Sequence, residues 1–346
     1  MSSKTIPIPT VRVGGAIGPL PRGLTGWIAR IADRASNRAD RSNLPFDGEI
    51  DALFYRRAAL PAPVGERAAA EASEARAEPP QDEPGLLIAD LHSDTLLWGV
   101  DPLAARSGGH MDLPRLIAAR SGLQVFGGPT WTPLPMRNSE QALCVSCESI
   151  DQSDALFPSQ LLERARRGKA ASRRKRAYKL AERFHQMLHR DGGRATQAIY
   201  RPEDLQGLWR GLGAPGPKNG RIGMMLSLEG LHWLEPDEDP AAVRAEIAAL
   251  RAAGFRMIAP THRFSNGMGG ASEDCQGRMG LTRAGHAAFS ACFESGVAVD
   301  LAHASPALIR DVAGLALTHG SRPLPVIVSH AGVRATKRQP RNLPDA

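Results

Sequence analysis

PAAVRAEIAALRAAGFRMIAPTH, residues 240–262, contains the unit on which the fold turns. A proline opens a helix-like segment, and Gly254 closes it at the position where helices stop. The chain then runs straight into FRMIAP (255–260), a short apolar stretch with no polar alternation, and leaves it at His262. A helix feeding a strand that is apolar on both sides belongs to a parallel sheet covered by helices.

The same unit recurs in both directions. Apolar runs stand at LLIADL (86–91), LQVF (123–126), IGMMLSL (222–228), VAVDLA (297–302) and LPVIVS (324–329). LTRAGHAAFSACFESG (281–296) and SPALIRDVAGLALTHG (305–320) are further helix-like segments. The first stops at Gly296, and the second starts on Ser305-Pro306, an N-cap followed by proline at the first helical position. Strand alternating with helix predicts an α/β protein with a parallel sheet.

The 346 residues suffice for one large domain or two smaller ones, and hydrophobic residues at 42% with charged residues at 23% are ordinary for a globular chain. The excess of 43 Lys+Arg over 36 Asp+Glu gives +7. No segment approaches the roughly 20 apolar residues of a membrane span, and MSSKTIPIPTVRVGGAIG lacks the apolar stretch of a secretory leader. A cytoplasmic location is expected, with reduced thiols at Cys144, Cys147, Cys275 and Cys292. The CxxC formed by Cys144 and Cys147 is weak ground for a redox or zinc role by itself.

Residues 1–84 are different in character: a basic, Ala/Arg/Pro-rich arm (1–56, with a short helix around TGWIARIADRA) and a linker (57–84), both expected to be poorly ordered. The predicted barrel domain is 85–346. A dense basic run within residues 159–190 reads as a solvated helix face rather than a nucleic-acid surface, because no aromatic interleaving or nucleic-acid module accompanies it.

Five apolar runs each deliver a metal-capable side chain at the carboxyl end: His92 and Asp94, Glu229, His262, His303 and His330. In a parallel barrel those ends form one rim, where active sites lie. Residues i and i+2 of a strand share a face, so His92 and Asp94 are expected to reach one ion together. Imidazoles and carboxylates in this mixture suit zinc or a similar divalent ion. They exceed the need of one catalytic ion and fit two ions bridged by Glu229, which implies hydrolysis. Any one of these histidines alone would more often be a core or loop residue; the shared topological position is what carries the reading. Asp300 is either a partner that orients a histidine or a buried polar contact. His110 and His232 are read as structural.

These residues sit in motifs that resemble the membrane (renal) dipeptidase family. The motifs are DLHSDTL (90–96), GGHMDLPRL (108–116), SLEGLH (227–232), THRFSN (261–266), GLTRAGHAAF (280–289), VDLAHAS (299–305), VIVSHAGVRA (326–335) and PRNLPD (340–345). The resemblance implies a TIM-like (β/α)8 barrel of the metal-dependent hydrolase type. It also implies two Zn2+ ions and hydrolysis of dipeptides by a metal-bridging hydroxide. His92 and Asp94 match the ligands of the first zinc, Glu229 the bridge, and His303 and His330 the ligands of the second. His262 matches the catalytic histidine that contacts substrate and stabilises the tetrahedral intermediate, and Arg341 the arginine that binds the substrate carboxylate.

Two features depart from the family pattern. The basic arm has no counterpart, and the sequence reaches Ala346 before the last two strands and a proton-handling aspartate of the family. An incomplete barrel is therefore expected, and two alternatives stand beside the dipeptidase: an inactive remnant that still binds metal, and a related metal-dependent amide hydrolase. A dipeptide or related small amide is the expected partner, with no nucleic acid; a homodimer is compatible with this reading.

Overall fold

The computed structural model describes residues 88–98, 100–106, 111–132, 172–209, 221–274, 279–318 and 325–344. The arm and linker, His110, Cys144, Cys147, Cys275 and the basic run before Ser172 lie outside the described residues.

Among the described residues seven strands make one parallel sheet: β1 (Ile88–Ser93), β2 (Ser121–Phe126), β3 (Thr196–Ala198), β4 (Ile222–Glu229), β5 (Phe255–Ala259), β6 (Ala298–Asp300) and β7 (Val326–Ile327). Their order is β1-β2-β4-β5-β6-β7, with β3 paired to the start of β4. Each of the six apolar runs contributes a strand within its described residues, only two residues long at β7, while β3, three residues long, gave no hydrophobic signal. The sheet curls into part of a barrel, and no described strand joins β1 to β7.

The helices are α1 (Leu113–Ala118), α2 (Arg173–Asp191), α3 (Pro202–Trp209), α4 (Pro240–Ala252), α5 (Arg283–Ser295) and α6 (Pro306–Thr318). Their sequences explain their ends. Thr282 caps α5 by accepting from Gly285 N, and Gly296 ends it in the left-handed conformation at φ +70°, open to glycine at little cost. In α4, Val243, Ile247 and Leu250 form the buried stripe. The main core lies between helices and sheet and includes Phe184, Met224, Leu226, Leu228 and Phe255, all at 0–1% exposure. A smaller cluster, with Leu123, Val125, Ile199, Leu208 and Met257, packs separately.

The basic run divides at α2. Arg174 and Lys175 are exposed, as a solvated face requires. Arg176 is buried and donates to the Thr130 carbonyl at 2.9 Å, and Arg173 donates to the His232 carbonyl at 2.9 Å with its guanidinium over the Trp131 ring. Part of the run thus braces the segment that follows β2.

Candidate metal centre

The predicted site residues arrive at one rim by different local routes. Glu229 is the last residue of β4, in a strand buried almost throughout. His262, His303 and His330 each lie three residues beyond their strands, β5, β6 and β7. His303 holds φ +65°, a left-handed conformation that costs a β-carbon-bearing residue on the order of 1 kcal/mol. Its carbonyl accepts from Ser272 N at 2.7 Å, which fixes the turn.

His92 and Asp94 do not share a strand face. The β1–β2 register slips between Asp90 and Ser93, β1 ends at Ser93, and Asp94 stands at the N-cap of a 3₁₀ turn, Thr95–Leu97. The bulge and the turn, rather than strand alternation, bring His92 Nε2 within 3.8 Å of Asp94 Oδ1. Gly127, just after β2, leaves room for this imidazole: a β-carbon there would stand 2.5 Å from the His92 ring and displace it.

Glu229 is the hub. Its Oε1 lies 3.7 Å from His92 Nε2, 3.6 Å from His303 Nε2 and 3.2 Å from His330 Nε2, while Oε2 is 3.9 Å from His262 Nε2. Ligands about 2.1 Å from a tetrahedral ion stand roughly 3.4 Å from one another, so this spacing suits a shared cation. Among the described residues two triads meet the distance condition for an ion, His92–Glu229–His330 and Glu229–His262–His303, with candidate ligand atoms within 4.8 Å of one another. Distance alone thus pairs His330 with His92 and His262 with His303, unlike the pairing implied by the resemblance. Asp94 joins neither triad.

Proton accounting supports a cation. His262 Nδ1 is 3.0 Å from the Trp131 carbonyl and His303 Nδ1 is 3.3 Å from Glu273 Oε2. Both acceptors lack a proton to give, so each Nδ1 carries the hydrogen and each Nε2 presents a lone pair. His303 Nε2 and His330 Nε2 nevertheless stand 3.0 Å apart. A hydrogen between them would have to come from His330 Nε2 or from an imidazolium, and an imidazolium is disfavoured: burial first, and the neighbouring charges second, push His303 well below the usual histidine range, and burial likewise lowers His330. Burial, then the adjacent His303, also pushes His262 well down. Burial raises the Glu229 carboxyl, and burial together with Glu229 lifts Asp94 to about 6, although its side chain is 40% exposed overall. His92 Nδ1, Asp94 Oδ1 and Glu229 Oε1 are buried polar atoms with no hydrogen-bond partner. Neutral imidazoles and a buried carboxylate whose unpartnered Oε1 faces three Nε2 atoms are what a divalent cation satisfies.

Arg341 is placed at the same rim. The segment after β7 folds back through the Val333–Leu343 bridge, and Arg341 donates to the His330 carbonyl at 3.3 Å. His232 is buried against Thr130 Oγ1 at 3.0 Å. Three contributors escaped sequence reasoning. Glu273 lies in a loop with no periodic signal; the Trp131 carbonyl has no side-chain signature at all; Ser329 was visible beside His330 but had no evident role.

A sequence model of the membrane dipeptidases, peptidase family M19, matches residues 86–346. The chain belongs to the membrane dipeptidase family. Its members are metallopeptidases, and this chain is accordingly a hydrolase of the dipeptidase class. Solved structures with a similar fold include dipeptidase AC, a metallo peptidase of family M19 (19% identity, TM-score 0.49, 75% of this chain and 67% of that one). Another is a metallo peptidase from Rhodobacter sphaeroides liganded with a phosphinate mimic of L-Ala-D-Ala (18%, 0.49, 75% and 69%). A third is the probable dipeptidase PvdM from Pseudomonas aeruginosa (18%, 0.48, 76% and 56%). The family membership rests on the sequence match. Among the described residues no helix is long and apolar enough to cross a membrane.

Proposed function

We propose that this dipeptidase-family chain hydrolyses dipeptides with two zinc ions held at the rim, bridged by Glu229. By the family resemblance His92 and Asp94 would hold one ion and His303 and His330 the other, whereas distance alone groups His92 with His330. The carrying observation is the buried, unpartnered Glu229 Oε1 facing three imidazole Nε2 atoms at 3.2–3.7 Å. Two divalent cations in this pocket supply the charge that polarises a scissile carbonyl and acidifies water.

The chain's own residues do the rest. His262, kept in its Nδ1–H form by the Trp131 carbonyl, stands beside Glu229 on the Oε2 side, where it contacts the substrate and steadies charge developing on the carbonyl oxygen. Arg341, tethered to the His330 carbonyl, offers a planar guanidinium to the substrate's terminal carboxylate. The buried walls around Glu229 keep the charges strong by excluding water.

The test is turnover of a plain dipeptide by the purified chain loaded with zinc. Glu229→Ala is expected to abolish both stoichiometric zinc and turnover. Arg341→Ala is expected to raise KM for dipeptides at least tenfold while sparing a substrate whose carboxylate is amidated. Zinc held at full stoichiometry with no turnover of any dipeptide would replace this reading with metal binding without catalysis.

A further inference from the structure

The residues behind His330 form a relay that no ligand assignment requires but that decides which of its nitrogens can bind a metal. Asp300, the last residue of β6, is fully buried. Its Oδ1 accepts from Ala302 N and from Ser329 N, each at 3.0 Å. Its Oδ2 meets Ser329 Oγ at 2.5 Å, and the same Oγ lies 2.7 Å from His330 Nδ1.

A hydroxyl has one hydrogen to give. The carboxylate accepts and cannot donate, so at 2.5 Å that hydrogen belongs on the Asp300 side. Ser329 Oγ then has only a lone pair for His330, and His330 Nδ1 must carry the proton. We infer that Asp300, acting through the Ser329 hydroxyl, locks His330 in the Nδ1–H tautomer and turns a bare Nε2 towards Glu229. Asp300 and Ser329 are positioning residues; neither has to touch substrate. The inference rests on the metal-centre reading for its purpose but not for its geometry.

The arrangement has a consequence that a merely structural aspartate would lack. In Asp300→Asn the two backbone N–H groups keep the amide oxygen at the Oδ1 position, which places the amide NH2 against Ser329 Oγ. The serine then receives a hydrogen from the amide and must give its own to His330 Nδ1. The imidazole is forced into the Nε2–H form, with a proton where the cation belongs. One atom exchanged two residues away reverses the tautomer.

The experiment uses the full chain, labelled with 15N at histidine, stripped of metal by a chelator and read by two-bond 15N–1H correlation, which separates protonated from bare ring nitrogens. The wild-type protein should show His330 as Nδ1–H and Asp300→Asn should show it as Nε2–H. His303, held directly by Glu273, should stay Nδ1–H in both and so report an intact fold. Ser329→Ala should leave His330 in a mixture of the two forms, and Ser329→Thr, which keeps the hydroxyl, should restore the single form. Zinc competition with a chromophoric chelator should then give a loss of roughly 10–100-fold for Asp300→Asn and less for Ser329→Ala.

An Nε2–H His330 in the wild type overturns the inference. So does an Asp300→Asn protein in which His330 keeps Nδ1–H while the His303 signal is unchanged. Should that variant lose the His303 signal by misfolding, Ser329→Ala decides: a single unchanged tautomer there is equally fatal. If the tautomers behave as stated and zinc does not bind even the wild type, the relay stands and the zinc reading falls.

Discussion

The middle and the margin of the sheet hold their site residues by different forces. β4 is buried along nearly its whole length between β2 and β5, and Glu229 inherits its position from that packing. β7 has two residues, both only half-buried, and its pairing with β6 covers just Val299↔Val326 and Asp300↔Ile327. So little ladder cannot aim an imidazole three residues further on. There the aiming is done by side chains: the Asp300–Ser329 relay on one side of His330 and Arg341 on its carbonyl. Packing fixes Glu229 at the centre of the sheet and polar ties fix His330 at its edge, so substitutions in the two places should fail in different ways.

The largest expected effect comes from breaking the centre. Leu226→Ala, at a fully buried position of β4, should cost about 2–5 kcal/mol of global stability by the lost burial and the cavity left behind. Denaturant unfolding of metal-free protein reads it directly, and a loss under about 1 kcal/mol would show that β4 is not the packed element described. At the margin, Glu273→Gln should weaken zinc roughly 10–100-fold and leave metal-free unfolding within about 1 kcal/mol. Equal damage to both quantities would erase the distinction.

Metal and pH sharpen the contrast further. His262 and His303 have folded-state values well below the ordinary one, so above about 6.5 both folded and unfolded chains hold them neutral. As pH falls below about 6.5 the unfolded chain takes up protons that the folded one refuses, and stability drops. Asp94 acts with the opposite sign: raised from 3.8 to about 6, it favours the folded state while protonated and loses that advantage as pH rises from about 4 through 6. A divalent cation needs neutral imidazoles and charged carboxylates, so zinc stabilisation should be greatest near pH 7–8 and fade by pH 5. At a hundredfold excess over Kd it should reach about 2.7 kcal/mol at the upper end; a pH-independent increment would argue against imidazole ligands. Asp94→Asn should stabilise the metal-free chain at pH 7 by on the order of 1 kcal/mol, discounted because the side chain is 40% exposed, while weakening zinc. The smallest effect is chemical: burial pushes the Cys292 thiol up to about 12, so folded protein should leave it unlabelled by thiol reagents. Mass spectrometry of the labelled peptide checks this.

What was legible in the sequence followed from local rules. Helix stops at Gly254 and Gly296, the N-cap at Ser305 and six runs apolar on both faces express local preferences of the backbone and the hydrophobic pattern, and those do not wait for tertiary contacts. The strand-end placement of His92, Glu229, His262, His303 and His330 was legible for the same reason, since parallel strands send their carboxyl ends to one rim. The route of Asp94 was not, because a bulge and a 3₁₀ turn replaced the simple alternation. The inward turn of Arg173 and Arg176 was also hidden, because a basic run reads alike whether its guanidiniums meet water or carbonyl oxygens.

The sequence by itself determined the α/β class and the family, and it singled out the strand-end residues proposed to bind a metal. Each of these depends on residue type and spacing along one chain. Only the tertiary structure decided how each imidazole is held. Glu273, Ser329, Asp300 and the Trp131 carbonyl act on His303, His330 and His262 across loops and neighbouring strands. A hydrogen bond between segments depends on distance and direction in space, and neither is written in the order of the residues.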